Sequence, residues 1–340
     1  MLKELCTLCG TSGYEDEVIA YIERILTENN IPYNKDKLGN IIAKSGEQPD
    51  KLALFAHMDE VAFVVRGITN DGMIKFAPIG GIDEEILPSS AVKINDINGI
   101  IGNIPKHLKT KNDDTKLTIS DMFIDIGATD KENALNYVNI GDPIYFNSEY
   151  VEFGDNLIKS KAVDDRAGVA VILKMLLERN HSFTACFVTR EEIGLIGSKM
   201  VMNEINPEYA VVLEVTTCAD LPDSSYPSTK LGEGVAISVL DGGSVSNQEF
   251  NQRILAIAKR KKIKHQLKLT TKGGNDAGTV SYYSGGVKTA VLSLPGRYIH
   301  SPVSVISKDD YNAMEKLISN ILDEVYVGAA PCHCINKFMQ

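Results

Sequence analysis

Five segments of the chain carry imidazole or carboxylate side chains where a predicted strand ends or a predicted helix begins. In chain order they are His57-x-Asp59, Asp164-Asp165, Glu191-Glu192, Glu214 and His300. A mixture of imidazole nitrogens and carboxylate oxygens suits Zn²⁺, Co²⁺ or Mn²⁺ better than Ca²⁺, which prefers oxygen ligands alone. If the fold brings these segments together, the residue types indicate a transition-metal site.

Taken singly, each segment also has a purely structural explanation. An aspartate at the start of a helix, as at Asp164-Asp165, commonly caps the helix or interacts with its dipole. Paired glutamates such as Glu191-Glu192 are typical of a solvated surface, and a lone histidine after a strand is often a polar surface residue. Only their joint position at one edge of one predicted sheet favours a common site.

The parts of the chain before residue 63 and after residue 161 predict a three-layer α/β fold with a mixed, largely parallel sheet. The predicted strands are continuous apolar runs at 52–56, 183–188, 210–215 and 287–294, with a turn at 295–297, and the predicted helices are 164–179, 245–261 and 309–325. Strands that alternate with helices indicate a sheet covered on both faces, with its ligand site at the carboxyl ends of the strands.

A first helix is predicted directly after Ser12. Ser12 and Glu15 have the spacing of a capping box, in which each side chain binds a free amide of the first turn. Val18, Ile22 and Ile25 lie on the apolar face that follows. The spacing of these residues is that of a helix with one buried side.

The hydrophobic pattern changes in residues 63–161, and we predict that they form an inserted, small, barrel-like all-β domain. Its short β-rich runs are 61–65, 73–76, 91–94, 99–104, 122–126 and 143–146, separated by clusters of Gly, Asp and Asn. Several short strands with turns between them are typical of a barrel or sandwich. The remaining residues, 1–62 and 162–340, would form one discontinuous α/β domain that carries the candidate site.

Composition excludes several classes of protein. Hydrophobic residues make up 44% of the 340 residues, and 35 basic against 45 acidic side chains give a net charge of −10. An acidic chain is a poor match for nucleic acid or an anionic membrane surface, and no run of about 18 apolar residues could cross a bilayer. With six cysteines and no apparent export signal, the expected location is the cytoplasm.

Two cysteine motifs have simpler explanations than metal binding. Cys6 and Cys9 have redox or zinc spacing, but no second pair follows, which favours small buried thiols. Cys332 and Cys334 flank His333 near the C-terminus and could bind metal adventitiously, although a plain tail is the simpler interpretation.

The order of the motifs resembles the M42 family of dinuclear metalloaminopeptidases, which includes glutamyl aminopeptidases, tetrahedral TET peptidases and members labelled endoglucanase. The resemblance spans nearly the whole chain. The motifs that carry it are His57-x-Asp59, Lys161-Ala-Val-Asp164-Asp-Arg166, Glu191-Glu192-Ile-Gly194, Glu214, Gly273-Gly274-Asn-Asp276-Ala-Gly278 and Pro295-Gly-Arg-Tyr-Ile-His300.

The resemblance implies two divalent metal ions per subunit, Zn²⁺ or Co²⁺ foremost and Mn²⁺ as a third choice. Asp164 would bridge them, His57 and Glu214 would complete one site, and Glu192 with His300 the other. In this interpretation Glu191 is the general base for a water activated between the ions, and Asp59 orients His57. Gly274, Gly296 and Arg297 are candidates for substrate binding.

The implied activity is removal of N-terminal residues from peptides by the catalytic domain, residues 1–62 and 162–340. The resemblance also implies a homo-oligomer built from dimers that can reach a dodecamer, with the inserted domain, residues 63–161, serving in oligomerisation and at the rim of the pocket. Family members usually carry Asp where this chain has Glu214, and Glu at that position accompanies deacylases among related dinuclear enzymes. A deacylase of N-acyl amino acids therefore remains an alternative. Weaker alternatives are an endoglucanase, which would need two carboxylates without metal, and a non-catalytic scaffold.

Overall fold

A computed structural model describes residues 1–108, 117–222, 224 and 229–324. Within these residues the helices are α1 (Leu2–Thr7), α2 (Asp16–Glu28), α3 (Lys131–Leu135), α4 (Val163–Glu178), α5 (Ile196–Val201), α6 (Gln248–Arg260), α7 (Ala277–Val280) and α8 (Lys308–Glu324). The strands are β1 (Tyr33–Lys35), β2 (Ile41–Ser45), β3 (Leu52–His57), β4 (Ala62–Ile68), β5 (Ile74–Ile79), β6 (Ala91–Ile94), β7 (Ile97–Asn103), β8 (Met122–Asp125), β9 (Pro143–Phe146), β10 (Val151–Phe153), β11 (Leu157–Ser160), β12 (Phe183–Val188), β13 (Tyr209–Thr217), β14 (Val235–Ser238), β15 (His265–Lys268), β16 (Lys288–Arg297) and β17 (Ser304–Ser307).

One mixed sheet of eleven strands forms the centre of the molecule. Its main order is β1-β2-β12-β3-β13-β16-β17-β11-β10, with β14 pairing both β16 and β15. The four central strands β12, β3, β13 and β16 run parallel, whereas most of the outer pairs are antiparallel. The predicted α/β fold is confirmed, with its parallel part at the centre of the sheet.

Helices cover both faces of this sheet, and the alternation along β3 shows why. Leu54 and Ala56 point into a core shared with residues of α2, α4, α6 and α8, while Ala53 and Phe55 point into a second core with residues of α5 and α7. A strand buried on both faces must be apolar at every position, which is what the run at 52–56 provides.

The predicted barrel is also present. Strands β4-β5-β8-β7-β6-β9 close on themselves, and their inward side chains form a separate core. Phe63 lies at its centre, with edge-to-face ring contacts to Phe76 at 5.1 Å and Phe146 at 5.3 Å between centroids. The barrel strands end at Phe146. Strands β10 and β11, which fall before the predicted boundary at residue 161, belong to the large sheet, where β10 pairs with β11 and β11 pairs with β17. The division into domains itself stays a prediction.

Two local predictions are wrong. No capping box forms at α2: Glu15 is the N-cap residue without a side-chain cap, and the Ser12 hydroxyl instead donates to Asp59 at 2.6 Å. The turn predicted at 295–297 is strand, because β13 and β17 both pair with this part of β16. In each case a partner distant in sequence competes successfully with the local pattern.

Cys6 and Cys9 are free and buried, as predicted, whereas Cys332 and Cys334 lie outside the described residues. Among the helices described here, none combines the length and apolar character that a bilayer span requires.

Candidate metal centre

The carboxyl ends of the parallel strands bring the predicted ligands to one edge of the sheet. His57 is the last residue of β3, Glu214 lies near the end of β13, and Glu191 follows β12 after two intervening residues. His300 comes three residues after β16, and Asp164 lies in the first turn of α4. Parallel strands end at a common edge, so residues far apart in sequence become neighbours.

The described residues include two possible ligand groups that share Asp164. One is His57, Asp164 and Glu214, and the other is Asp164, Glu192 and His300; within each group the donor atoms lie no more than 4.8 Å apart. Asp164 Oδ1 lies 3.5 Å from His57 Nε2, while Asp164 Oδ2 lies 3.7 Å from His300 Nε2. The two oxygens of one carboxylate therefore face two different imidazoles.

Within each group the remaining carboxylate faces the same imidazole nitrogen. Glu214 Oε2 lies 3.8 Å from His57 Nε2, and Glu192 Oε1 lies 3.4 Å from His300 Nε2. Each imidazole thus presents one nitrogen to two carboxylates, and an ion placed between them would have three protein donors.

Asp59 connects the elements that carry the donors. Its Oδ1 lies 3.4 Å from His57 Nδ1 and accepts a hydrogen bond from the Glu191 amide at 3.0 Å. Its Oδ2 accepts from the Ser12 hydroxyl at 2.6 Å and from the Glu192 amide at 3.1 Å. Because Asp59 occupies Nδ1, it leaves Nε2 of His57 facing the ligand group.

His300 is held from the barrel side of the molecule. Its Nδ1 lies 2.9 Å from the carbonyl oxygen of Gly81, which follows β5. The backbone of His300 has a positive φ of 57°, an uncommon conformation for a residue other than glycine. The loop after β5 thus orients one of the predicted ligands.

Electrostatically this edge of the sheet is dominated by buried carboxyl groups. Burial raises the pKa values of Glu191 and Glu214 well above the usual range of a glutamate. The charge of His57 lowers both pKa values, but only in part offsets the effect of burial. Burial also raises the pKa of Glu192, to about 7, against the opposing effect of His300. Burial by itself would lower the pKa of His57, because it disfavours the charged imidazole. Contacts with Asp164 and Asp59 outweigh this effect and raise the pKa of His57.

The donor atoms fit divalent cations. Asp164 Oδ1 and Glu214 Oε1 are buried, and neither has a hydrogen-bond partner among the described residues. Buried carboxylate oxygens without a donor are costly unless a cation neutralises them. Two imidazoles and three carboxylates, one of them placed between the two groups, form a donor set that suits two transition-metal ions.

The three predicted substrate-binding residues fall in different surroundings. Gly274 lines a cavity of about 560 Å³ that also exposes His57 and His300. Gly296 is packed inside β16, where an added Cβ would lie 2.6 Å from Val215 Cγ1. Arg297 donates to Asp220 at 3.0 and 2.7 Å, and neither it nor Gly296 belongs to the described lining of the cavity.

Sequence reasoning missed several residues of this region. Ser12 binds Asp59 although its spacing indicated a helix cap. Asp276 is fully buried near Ser198, and burial raises its pKa to about 6 against the opposing effect of the Ser198 hydroxyl. Lys268 lines the cavity and is only 7% exposed, whereas the flanking Leu267 and Leu269 are 49% and 63% exposed. No signal in the sequence points to these contacts.

Comparison with known proteins identifies relatives along nearly the whole chain. The family described as M42 glutamyl aminopeptidase matches residues 39–317. A putative aminopeptidase of Acetivibrio thermocellus is 35% identical over 94% of this chain and 96% of its own.

Solved structures of similar proteins share this fold over most of the chain. A TET aminopeptidase from the Thaumarchaeota archaeon SCGC AB-539-E09 has a TM-score of 0.90 and 29% identity over 95% of both chains. The TET1 peptidase of Pyrococcus horikoshii, described as able to assemble into a tetrahedron or a large octahedral shell, has a TM-score of 0.85 and 30% identity over 94% of this chain and 98% of its own.

Proposed function

This chain belongs to the M42 glutamyl aminopeptidase family and is a peptidase, and from that premise we propose that it removes N-terminal residues of peptides with two divalent metal ions. His57, Asp164 and Glu214 would hold one ion, and Asp164, Glu192 and His300 the other. The observation that carries this proposal is the pair of ligand groups that share the single carboxylate of Asp164.

When bound, such ions would polarise the scissile carbonyl and make a water molecule more acidic. Zn²⁺ or Co²⁺ suits the donor set best, with Mn²⁺ as a third choice. The donor set therefore supports a metal-dependent peptidase, and it does not single out one of these three metals.

We assign to Glu191 the role of general base. It lies beside His57 and Glu192 at the cavity wall and is 9% exposed. Burial raises the pKa of Glu191, which favours a carboxylate able to take a proton from the attacking water and to release it to the leaving amine. Asp59 acts as a positioning residue, since it fixes both the His57 ring and the backbone amide of Glu191.

The family match and the aminopeptidase relatives favour peptide bonds over N-acyl amino acids and glycosidic bonds. A direct comparison of aminoacyl-p-nitroanilides, followed by release of p-nitroaniline, with N-acetyl amino acids, followed by release of acetate, tests this preference. We expect hydrolysis of the aminoacyl compounds alone; faster release of acetate from the N-acetyl amino acids would instead establish a deacylase.

The adjacent glutamates provide a matched test of the two roles. Glu191→Gln should lower kcat by at least about 10³-fold while two ions per chain remain bound, because it removes the proton acceptor but no ligand. Glu192→Gln should instead reduce the number of ions retained after dialysis. Metal content is measured by elemental analysis on the same samples, and full activity of the Glu191→Gln variant would contradict the assigned role.

We further propose that the chain assembles with copies of itself, as the P. horikoshii TET1 peptidase does. Large apolar side chains of the barrel region support this, because Ile100, Ile104 and Ile140 are 57%, 54% and 71% exposed. Sedimentation or native mass spectrometry of the metal-loaded protein tests the proposal. A monomer at micromolar concentration would contradict it.

A further inference from the structure

The loop that carries Glu191 is held by side chains from distant parts of the chain. Its residues 189–192 lie between β12 and α5, and the four consecutive backbone amides each donate a hydrogen bond to a side-chain oxygen. The acceptors are, in order, Asn40 Oδ1 at 2.8 Å, Glu15 Oε1 at 3.1 Å, Asp59 Oδ1 at 3.0 Å and Asp59 Oδ2 at 3.1 Å. These contacts take the place of the hydrogen bonds that a strand or helix would provide.

Among these acceptors, Glu15 binds the loop with a side chain whose sequence position predicted another partner. It is the N-cap residue of α2, yet its carboxylate caps no amide of that helix. Oε1 accepts instead from the Gly13 amide at 2.8 Å and from the Arg190 amide at 3.1 Å, and the residue is 3% exposed. Loss of this side chain would leave the Arg190 amide without its described acceptor.

The backbone of Arg190 depends on such support. Its φ is 57°, in the left-handed region that is uncommon for residues other than glycine, and its carbonyl accepts from the Ile196 amide at 3.1 Å. A residue keeps this conformation only where its surroundings fix it. Because Arg190 directly precedes Glu191, a change in its backbone angles would redirect the Glu191 side chain.

Glu15 acts on this loop and not on a substrate, since it is not among the described residues that line the cavity. Burial and the charge of Asp59 raise the pKa of Glu15 to about 7, against the opposing effect of the two amides that it accepts from. What the loop requires from Glu15 is one acceptor oxygen in a fixed place. A glutamine side chain also offers such an oxygen.

We propose, on the basis of the proposed function, that Glu15 is a positioning residue for catalysis: by holding the Arg190 amide, it fixes the direction in which Glu191 presents its carboxylate. Asp59 holds the same loop one residue further along, at the Glu191 amide. Misplacement of a reacting group by about 1 Å costs on the order of 100-fold in rate. The segment before α2 thus contributes to the precision of the proposed general base.

The first test compares two variants of Glu15. At saturating Zn²⁺, Glu15→Ala should lower kcat for an aminoacyl-p-nitroanilide 10–100-fold and change KM less than threefold, because it displaces the base and no substrate contact. Glu15→Gln keeps an acceptor oxygen and should retain kcat within threefold of the wild type. Unchanged kcat in Glu15→Ala, or an equal loss in both variants, would contradict the proposal.

Glu17 provides a matched control on the same turn of α2. Its Oε2 accepts from the Cys9 amide at 2.8 Å, so Glu17→Ala removes the same charge and the same kind of hydrogen bond without touching the loop. We expect kcat of Glu17→Ala within twofold of the wild type. Metal content is measured on every sample: a Glu15→Ala variant whose kcat recovers when more Zn²⁺ is added would have a role in metal retention, and the positioning role would be wrong.

A double-mutant cycle tests whether Glu15 acts through Glu191. In the Glu191→Gln background, adding Glu15→Ala should lower the residual kcat less than threefold, because the base that Glu15 positions is already absent. A further 10–100-fold loss in that background would indicate general disruption of the site and would overturn the proposal.

Amide hydrogen exchange separates this inference from the proposed function. In metal-loaded protein, exchange of residues 189–192 followed by mass spectrometry should be at least tenfold faster in Glu15→Ala than in the wild type, and unchanged in Glu17→Ala, with peptides of α4 as the reference for overall folding. If Glu191→Gln is fully active, the proposed general base fails, and faster exchange would still establish that Glu15 holds the loop. If exchange is unchanged, the positioning role of Glu15 fails even where the peptidase activity stands.

Discussion

Two buried charged clusters lie next to each other in this protein, and they differ in how their charges are balanced. The paired cluster consists of Glu60, Lys161 and Arg166, and the acidic cluster of the candidate ligands His57, Asp164, Glu192, Glu214 and His300 together with Glu191. Sequence neighbours contribute to both, since Glu60 follows Asp59 and Lys161 and Arg166 flank Asp164. Proximity alone therefore does not explain their difference.

In the paired cluster every cation meets oxygen atoms within hydrogen-bond distance. Lys161 Nζ donates to both Glu60 oxygens at 2.7 and 2.9 Å and to the Leu8 carbonyl at 2.6 Å. Arg166 donates to the Met58 carbonyl at 2.7 Å and to Glu60 at 3.3 Å. Because each of its three charged groups is hydrogen-bonded to other protein atoms, this cluster has a structural role, joining the N-terminal segment to the start of α4.

In the acidic cluster the carboxylates exceed the available cations, and buried oxygens of Asp164 and Glu214 have no described donor. Such an arrangement is unfavourable in isolation and becomes favourable when cations bind. The comparison shows that a candidate ligand site differs from a structural ion pair in the balance of its buried charges, not in the number of its charged residues.

The largest expected effect comes from breaking the paired cluster. Lys161→Met should lower the free energy of unfolding by about 3–5 kcal/mol, because it removes both short hydrogen bonds to the buried carboxylate of Glu60 and leaves only the longer contact with Arg166 at 3.3 Å as its described ion pair. Urea unfolding at neutral pH measures the change. As a control, Lys159→Met removes a half-buried lysine two residues earlier and should cost no more than about 0.5 kcal/mol. Equal effects of both substitutions would contradict the structural role of the pair.

In the acidic cluster, by contrast, removing a charge should stabilise the folded metal-free protein. Burial raises the pKa of Glu192 from its usual 4.5 to about 7, so the folded metal-free protein retains a proton that the unfolded chain releases. Its stability should therefore fall as the pH rises from 4.5 to 7, by roughly 3 kcal/mol for this group at 1.4 kcal/mol per pKa unit. His57 acts in the same direction, because its raised pKa stabilises the folded state only at lower pH.

Urea unfolding of metal-free protein at pH 5 and pH 8 checks this expectation. Glu192→Gln should raise the stability of the metal-free protein at pH 8, and bound Zn²⁺ should remove most of the pH dependence in the wild type. A metal-free wild type that becomes more stable between pH 5 and pH 8 would show that the cluster is balanced by other groups.

A smaller effect is expected where Asp59 supports the acidic cluster. Asp59→Asn should weaken metal binding 10–100-fold, equivalent to about 1.4–2.8 kcal/mol, because the amide no longer holds His57 as a charged acceptor does. Competition with a chromophoric chelator measures the affinity. Ser12→Ala removes only one donor to Asp59 and should have a lesser effect, and unchanged affinity in Asp59→Asn would contradict the positioning role.

The smallest effect is expected for Arg297, which forms a partly exposed ion pair with Asp220. Arg297→Gln should cost at most about 1 kcal/mol of stability and change KM less than twofold, because its guanidinium is already engaged outside the described cavity wall. Thermal unfolding and steady-state kinetics on one preparation test both statements. A tenfold rise in KM would restore the prediction that Arg297 contacts substrate.

The sequence by itself determined the positions of the central strands, the barrel and the motifs from which the candidate ligands come. Short continuous apolar runs such as 52–56 are typical of strands in a sheet covered on both faces, and parallel strands then place His57 and Glu214 at the same edge. The ligand roles of these residues stay predictions, although the structure brings their side chains together.

Only the tertiary structure decided what each polar side chain contacts. Ser12 binds Asp59 rather than an amide of α2, and Lys268 turns into the cavity while its leucine neighbours face outward. Local patterns record the preferences of a segment, whereas hydrogen bonds and charge pairs depend on groups that approach from distant segments. The strands could therefore be predicted from hydrophobicity, but the balance of buried charge that prepares this site could not.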